Sequence, residues 1–210
     1  MLNTLSLPFR VIGRAVRDWW RDWVNMTALN LALLLCWLTI ILGPPATFVL
    51  YAALHEYVYG RSFELRETPA LLRRYALKSW LWLLGNALVA GGVWLNLQVY
   101  TPNTPWTAAL RLLSLGAGAL WLALQFYALP YVLEQDRPSL RRAYRNALLT
   151  VLASPLYTLV IVGFALCLVL VSVRVVALLF LGVPCLIAVL GVHAVAERLG
   201  RYRVRERDGL

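Results

Sequence analysis

Six stretches of this chain run for 15 to 26 residues with almost no charge, at about 27–43, 45–59, 79–99, 107–132, 147–171 and 175–196. A helix needs about 20 consecutive apolar residues to cross the hydrocarbon core of a bilayer. In hydrocarbon every backbone polar group must be satisfied internally, which leaves the helix as the element these stretches can form. The rest of the chain is too small for a separate soluble domain. Of the 210 residues 61% are hydrophobic and 14% charged, and the mean hydropathy is +0.69. That is too little polar surface for a soluble globule. The expectation is an all-α, polytopic membrane bundle of about six transmembrane segments arranged as hairpins. One membrane domain would fill 1–210, divided into an interfacial helix (1–26), the bundle (27–196) and a basic tail (197–210).

Sidedness rests on the stretch "LTIILGPPATFVLYAALHEYVYG" at 38–60, where Gly43, Pro44 and Pro45 interrupt an apolar run. The basic residues fall in four groups: 10–21, 61–78, 137–145 and 198–207. If the chain turns back at the paired prolines, eighteen of the twenty share one side, with only Arg111 and Arg174 opposite. A single kinked crossing would split them fourteen to six. Short loops rich in Lys and Arg stay in the cytoplasm, and proline breaks a helix. The reading is therefore a reversal at Gly43-Pro44-Pro45 with both termini cytoplasmic, in a bacterial inner membrane. A re-entrant second segment would give the same sidedness. The N-terminus lacks the clean apolar core of a cleavable signal.

Three basic leaders precede the apolar hairpins: "LPFRVIGRAVRDWWRDW", "TPALLRRYALKSW" and "RPSLRRAYRNAL". In the first, Arg10, Arg14, Arg17 and Arg21 form one helical stripe, with Phe9, Ile12, Val16, Trp19, Trp20 and Trp23 opposite. That pattern suits a helix lying in the membrane interface against anionic headgroups. Lipid or partner contacts are accordingly expected at these four arginines and at Arg73, Arg74, Lys78, Arg141, Arg142 and Arg145. No nucleic-acid partner is expected. Gly91, Gly92, Gly116 and Gly118 allow close helix packing within one bundle or between copies of the chain.

Few residues suggest chemistry. His55 and Glu56 adjoin in the second segment, and His193 and Glu197 stand at i, i+4, able to pair on one face. Metal binding would require the two histidines to converge, and interfacial residues reaching water are the blander expectation. Cys36, Cys167 and Cys185 lie in apolar runs without CxxC spacing, so no disulfide is expected. Asn86, Asn96 and Gln125 mark a possible polar path for a neutral solute. Helix-to-helix hydrogen bonding is the competing account for them. No catalytic constellation, cofactor site or metal site is read, and an enzyme is not expected.

The segment "TIILGPPATFVLYAALHEYVYGRSFELRETPALLRRYALKSWLWLLGNAL" resembles the signature region of the YesL-like bacterial membrane proteins. Thr39, Gly43, Pro45, Ala46 and Thr47 match a Thr-Ile-Gly-Pro-Ala-Thr-like turn, followed by Tyr51, Gly60-Arg61 and Lys78-Ser79. "YALPYVLEQDRPSLRRAYRNALLTVLASPLYTL" is similar to a later span pair of that family. The doubled proline departs from the pattern. The resemblance, over about 15–165, implies an accessory protein of carbohydrate uptake, partnering an ABC transporter permease or nucleotide-binding subunit. It supplies no catalytic residues. The alternatives are a small-solute channel or a lipid-interacting structural protein.

Overall fold

The computed structural model describes residues 2–101 and 103–207, with side chains described for 6–64, 66–101 and 103–200. The helices are α1 (Leu2–Arg21), α2 (Trp23–Leu38), α3 (Gly43–Val58), α4 (Thr68–Val99), α5 (Pro105–Leu133), α6 (Leu140–Ala153), α7 (Pro155–Arg174), α8 (Ala177–Phe180) and α9 (Val183–Arg207). A 3₁₀ turn at Leu65–Glu67 leads into α4. No strand occurs among the described residues.

Proline sets several starts. Pro44 and Pro45, Pro69, Pro105 and Pro155 stand in the first turns of α3, α4, α5 and α7. There the missing N–H costs nothing and the fixed φ already suits the helix. Thr104 and Thr107 close α5 with a reciprocal capping box, each hydroxyl accepting from the other's backbone N–H.

Four helices are long and apolar enough to cross a membrane: Thr68–Val99, Pro105–Leu133, Pro155–Arg174 and the Val183–Gly200 part of α9. This corrects two expected boundaries. Ser154 separates α6 from α7, so the expected run at 147–171 is split and the long apolar helix begins at Pro155. The expected 175–196 run is broken at Leu181 and Gly182, where Gly182 has φ +109°. α2 and α3 have 16 residues each. At 1.5 Å per residue each is about 24 Å long, short of the roughly 30 Å hydrocarbon core. The second basic leader is not a separate helix but the first turns of α4. The expected tail at 197–210 is helical through Arg207; 208–210 and the side chains of 201–207 lie outside the described residues.

The chain does turn back between α2 and α3, though not on the prolines. The turn occupies Thr39–Leu42, and Gly43, Pro44 and Pro45 lie just beyond it, buried in the first turn of α3. Trp37 folds over that turn, its indole N–H donating to Thr47 Oγ1 at 3.2 Å. A Cβ on Gly43 would lie 2.6 Å from Trp37 Cδ2, so glycine is what lets the indole lie there. At the other end of α3, Arg21, the last residue of α1, donates to the Tyr57 hydroxyl (3.5 Å), which itself donates to the Asp18 carbonyl (3.3 Å).

α3, the second half of α5 and α9 form the centre. Phe48, Leu54, Tyr127, Val132, Val189 and Leu190 are almost wholly buried. Pro130 inside α5 leaves the Phe126 carbonyl without its helical donor. Gly191 of α9 packs against that step, where a Cβ would be 3.2 Å from the Phe126 oxygen. Asn30, fully buried, holds α2 to the α8 turn by donating to the carbonyls of Leu179 (2.6 Å) and Phe180 (3.2 Å).

α1 departs from the two-faced helix expected of it. Leu7, Val11 and Ala15 are at most 3% exposed and pack into the core. At 100° per residue they form a stripe distinct from both expected faces. The arginines fall on a second stripe, exposed as expected. Phe9 and Trp20, 65% and 70% exposed, share the third. The buried stripe fastens α1 along α9.

Candidate functional site

At the end of the bundle where α3 and α5 stop, His55 is 9% exposed and sits between two glutamates. His55 Nε2 lies 3.1 Å from Glu134 Oε1, and Tyr59 donates its hydroxyl to the same oxygen at 2.6 Å. An ionised carboxylate only accepts, so the contact is a hydrogen bond to such a group when Nε2 is the protonated ring nitrogen. His55 Nδ1 is 3.6 Å from Glu56 Oε1, too long for a hydrogen bond. Arg61 forks onto Glu56, with one bond from Nη2 at 3.0 Å and a second from Nε. That carboxylate holds the Arg61 guanidinium further above its usual value. The rings of His55 and Tyr59 are 4.7 Å apart, and Arg61 lies 5.4 Å from the Tyr59 ring centre. A polar cavity of about 290 Å³ opens beside these groups, reaching Glu67, Arg74 and Gln135.

The second histidine belongs to a different cluster. His193 Nε2 pairs with Asp18 Oδ2 at 2.8 Å, and Arg14 Nη1 pairs with Glu197 Oε2 at 3.1 Å. The expected His193–Glu197 pair on one helix face is not made. Each residue instead reaches across to α1, whose Arg14 and Asp18 are also four apart. Among the described residues no group of three potential ligands is placed to hold a metal ion. Cys36, Cys167 and Cys185 are free thiols.

Of the three amides read as a possible path, Asn86 and Gln125 join helices, while Asn96 bonds within its own helix. Trp82 Nε1 donates to Gln125 Oε1 (2.7 Å), Gln125 Nε2 to the Tyr144 hydroxyl (2.9 Å), and Trp121 Nε1 to Asn86 Oδ1 (3.1 Å). Asn86 and Asn96 also donate to the carbonyls of Trp82 and Gly92 in their own helix. The Asn86 and Gln125 bonds join α4, α5 and α6.

The remaining outward charge is mostly basic, with Glu64, Glu67 and Asp136 the exposed acids among it. Arg74 reaches the Asp136 carbonyl at 3.5 Å, setting the first turns of α4 beside the α5–α6 connection. Arg74 and Lys78 lie 5.6 and 5.8 Å from the Tyr75 ring centre. Arg73, Arg141, Arg142 and Arg145 are exposed, as are Arg10 and Arg17 on α1. None of these six makes an ion pair or hydrogen bond with another described residue, whereas Asp18, Glu56, Glu134 and Glu197 are all occupied by partners inside the bundle. Sequence reasoning missed Glu134 and Asp18. A Glu at the end of an apolar helix, and an Asp within an arginine stripe, were the available signals, but their partners are 79 and 175 residues away.

No family model, curated protein or solved structure matches this chain.

Proposed function

We propose that this chain is a non-catalytic accessory protein of the bacterial cytoplasmic membrane that docks an acidic partner surface at its basic end. The observation that carries the reading is the division of charge there. Asp18, Glu56, Glu134 and Glu197 are spent on pairs within the chain, while Arg73, Arg141, Arg142 and Arg145 project without an ion pair from α4 and α6 and outnumber the exposed Glu64, Glu67 and Asp136. Exposed charges of one sign speed and orient association with a complementary surface. In this reading all the apolar segments are embedded as hairpins, the basic end and both termini face the cytoplasm, and the outer side offers only short turns. The YesL-like resemblance, resting on the residues quoted above, suggests which partner: a permease or nucleotide-binding subunit of a carbohydrate ABC transporter.

The experiment is affinity purification in mild detergent of the parent chain and of a variant with Arg73, Arg141, Arg142 and Arg145 all changed to Glu. The parent is expected to retain a transporter subunit that the variant loses, with unchanged thermal stability. Recovery of the parent as a single species in several detergents would defeat the proposal. So would equal capture by both proteins.

The solute-path alternative is weakened by the same structure, because Asn86 and Gln125 are bonded to indoles and to Tyr144. A lipid-docking role is favoured at α1, where exposed Phe9 and Trp20 adjoin the arginine stripe. Salt-sensitive binding of the whole protein to anionic over neutral vesicles, lost on neutralising Arg10 and Arg17, would identify that role.

A further inference from the structure

Between α2, α3 and the segment leading into α4 lie two cavities that share Leu29, Ala32, Ala53 and Phe63 in their walls and so form one groove. The inner part, about 170 Å³, is walled by Leu33, Cys36, Ala46, Val49 and Leu50 and by Leu72 from α4. It is far larger than the roughly 10–15 Å³ that a single water requires, but its walls offer almost nothing for water to bond, so hydrocarbon is its natural content. The outer part, about 610 Å³, is wider and, though still mostly apolar, carries polar groups that the inner part lacks, with Asp22, Asn25, Tyr57, Arg61 and Ser62 in its walls. Ala28 and Ala32 are exposed, so the groove is open along its side and a chain can enter laterally.

We infer that this groove holds one membrane phospholipid, with an acyl chain along α2 and α3 and a headgroup carrying both a phosphate and an ammonium at the polar margin. The apolar slot continuous with a vestibule bearing polar groups is the shape of an amphiphile. The choice of headgroup follows from the charges. Asp22 puts a carboxylate at the margin, its oxygen already accepting from Asn25 Nδ2 at 2.7 Å but with acceptor capacity left. Arg61 stands at the other side of the margin, and Ser62 adds a hydroxyl beside it. Arg61 is already forked onto Glu56, which offsets its charge, and Arg21 is turned to the neutral hydroxyl of Tyr57. An anionic headgroup without an ammonium would meet Asp22 and Glu56 with no cation of its own. A phosphoethanolamine headgroup answers both signs, its ammonium to Asp22 and its phosphate to Arg61 and Ser62. This goes beyond the docking role, which uses α4 and α6 on other residues.

The test is native mass spectrometry of the whole chain in mild detergent, titrated with dioleoyl phosphatidylethanolamine or dioleoyl phosphatidylglycerol. One phosphatidylethanolamine is expected to be retained with about tenfold preference, a free-energy difference of about 1.4 kcal/mol. Asp22→Asn is expected to remove the preference while leaving both lipids bound. Ala32→Trp, a change at an exposed wall position, is expected to abolish retention of either lipid. A second readout is Cys36 in a Cys167→Ser background, whose alkylation by a bilayer-soluble maleimide phosphatidylethanolamine should slow. Equal retention of the two lipids by the parent, retention unchanged by Ala32→Trp in a folded protein, or unprotected Cys36 would each overturn the inference.

Discussion

A methyl group added at Gly43 would land 2.6 Å from Trp37 Cδ2 and 2.9 Å from Cε3, closer than a Cβ can approach an aromatic ring. The indole would have to leave, taking its hydrogen bond to Thr47 with it. Gly43→Ala is therefore expected to cost about 1–3 kcal/mol, the usual range for overpacking. The measurement is thermal unfolding in detergent; an unchanged midpoint would mean that Trp37 does not pack on the turn. The His55–Glu134 contact calls for a different measurement, because both partners also bind other groups. A double-mutant cycle of His55→Ala and Glu134→Ala isolates their mutual term, expected at about 0.5–3 kcal/mol for contacting groups. Coupling near zero would show that partners other than each other hold these side chains in place.

α1 illustrates how much an element's pattern discloses. Its arginine stripe was legible because four long cations repeat at helical spacing, and all four are exposed as expected. Its packing face was not, because Leu7, Val11 and Ala15 are small or few, and their burial depends on α9, which begins 162 residues after α1 ends. The same contrast recurs elsewhere. α5 was legible almost to its ends, from a proline start and an unbroken apolar run. The starts of α7 and α9 were overlooked, although Ser154-Pro155 and Gly182 are both boundary signals, because apolar residues continue on either side of them. The packing face can be tested directly. Ala15 is fully buried, whereas a Cβ on Gly13 would meet nothing within 4 Å. Ala15→Leu is expected to destabilise by about 1–3 kcal/mol. Gly13→Ala is expected to be neutral or to stabilise by up to about 1 kcal/mol through helix propensity. Equal effects in a thermal melt would place α1 away from α9.

At the scale of the whole molecule, the two well-defined turns at the end opposite the histidines differ in chemistry. The α4–α5 turn presents Thr101, Asn103 and Thr104, all exposed and polar, after helices of 32 and 29 residues. The α2–α3 turn presents Leu38, Ile40, Ile41 and Leu42 at 79%, 66%, 68% and 45% exposure after a helix of only 16 residues. Its backbone donors find partners within the turn: Thr39 N to the Cys36 carbonyl, Ile40 N to the Trp37 carbonyl, and Leu42 N to the Thr39 hydroxyl. The Thr39 hydroxyl in turn donates to the Cys36 carbonyl at 2.6 Å. Ile40 adopts φ +58°, a costly conformation for a β-branched residue, to close the turn. Apolar side chains outside with polar groups satisfied inside is the arrangement hydrocarbon demands. A turn at a water interface has no need of it, because water supplies the missing bonds. The α2–α3 hairpin is thus suited to end within the membrane, whereas α4 and α5 are each long and apolar enough to cross it. Single cysteines at Ile41 and Asn103, in a chain with Cys36, Cys167 and Cys185 replaced by alanine, distinguish the two depths. Asn103→Cys is expected to react with a membrane-impermeant maleimide added from one side of intact cells or vesicles. Ile41→Cys is expected to resist that reagent from both sides yet react with a bilayer-soluble one. Rapid labelling of Ile41→Cys by the impermeant reagent would place the turn in water, making α2 and α3 full crossings in spite of their length.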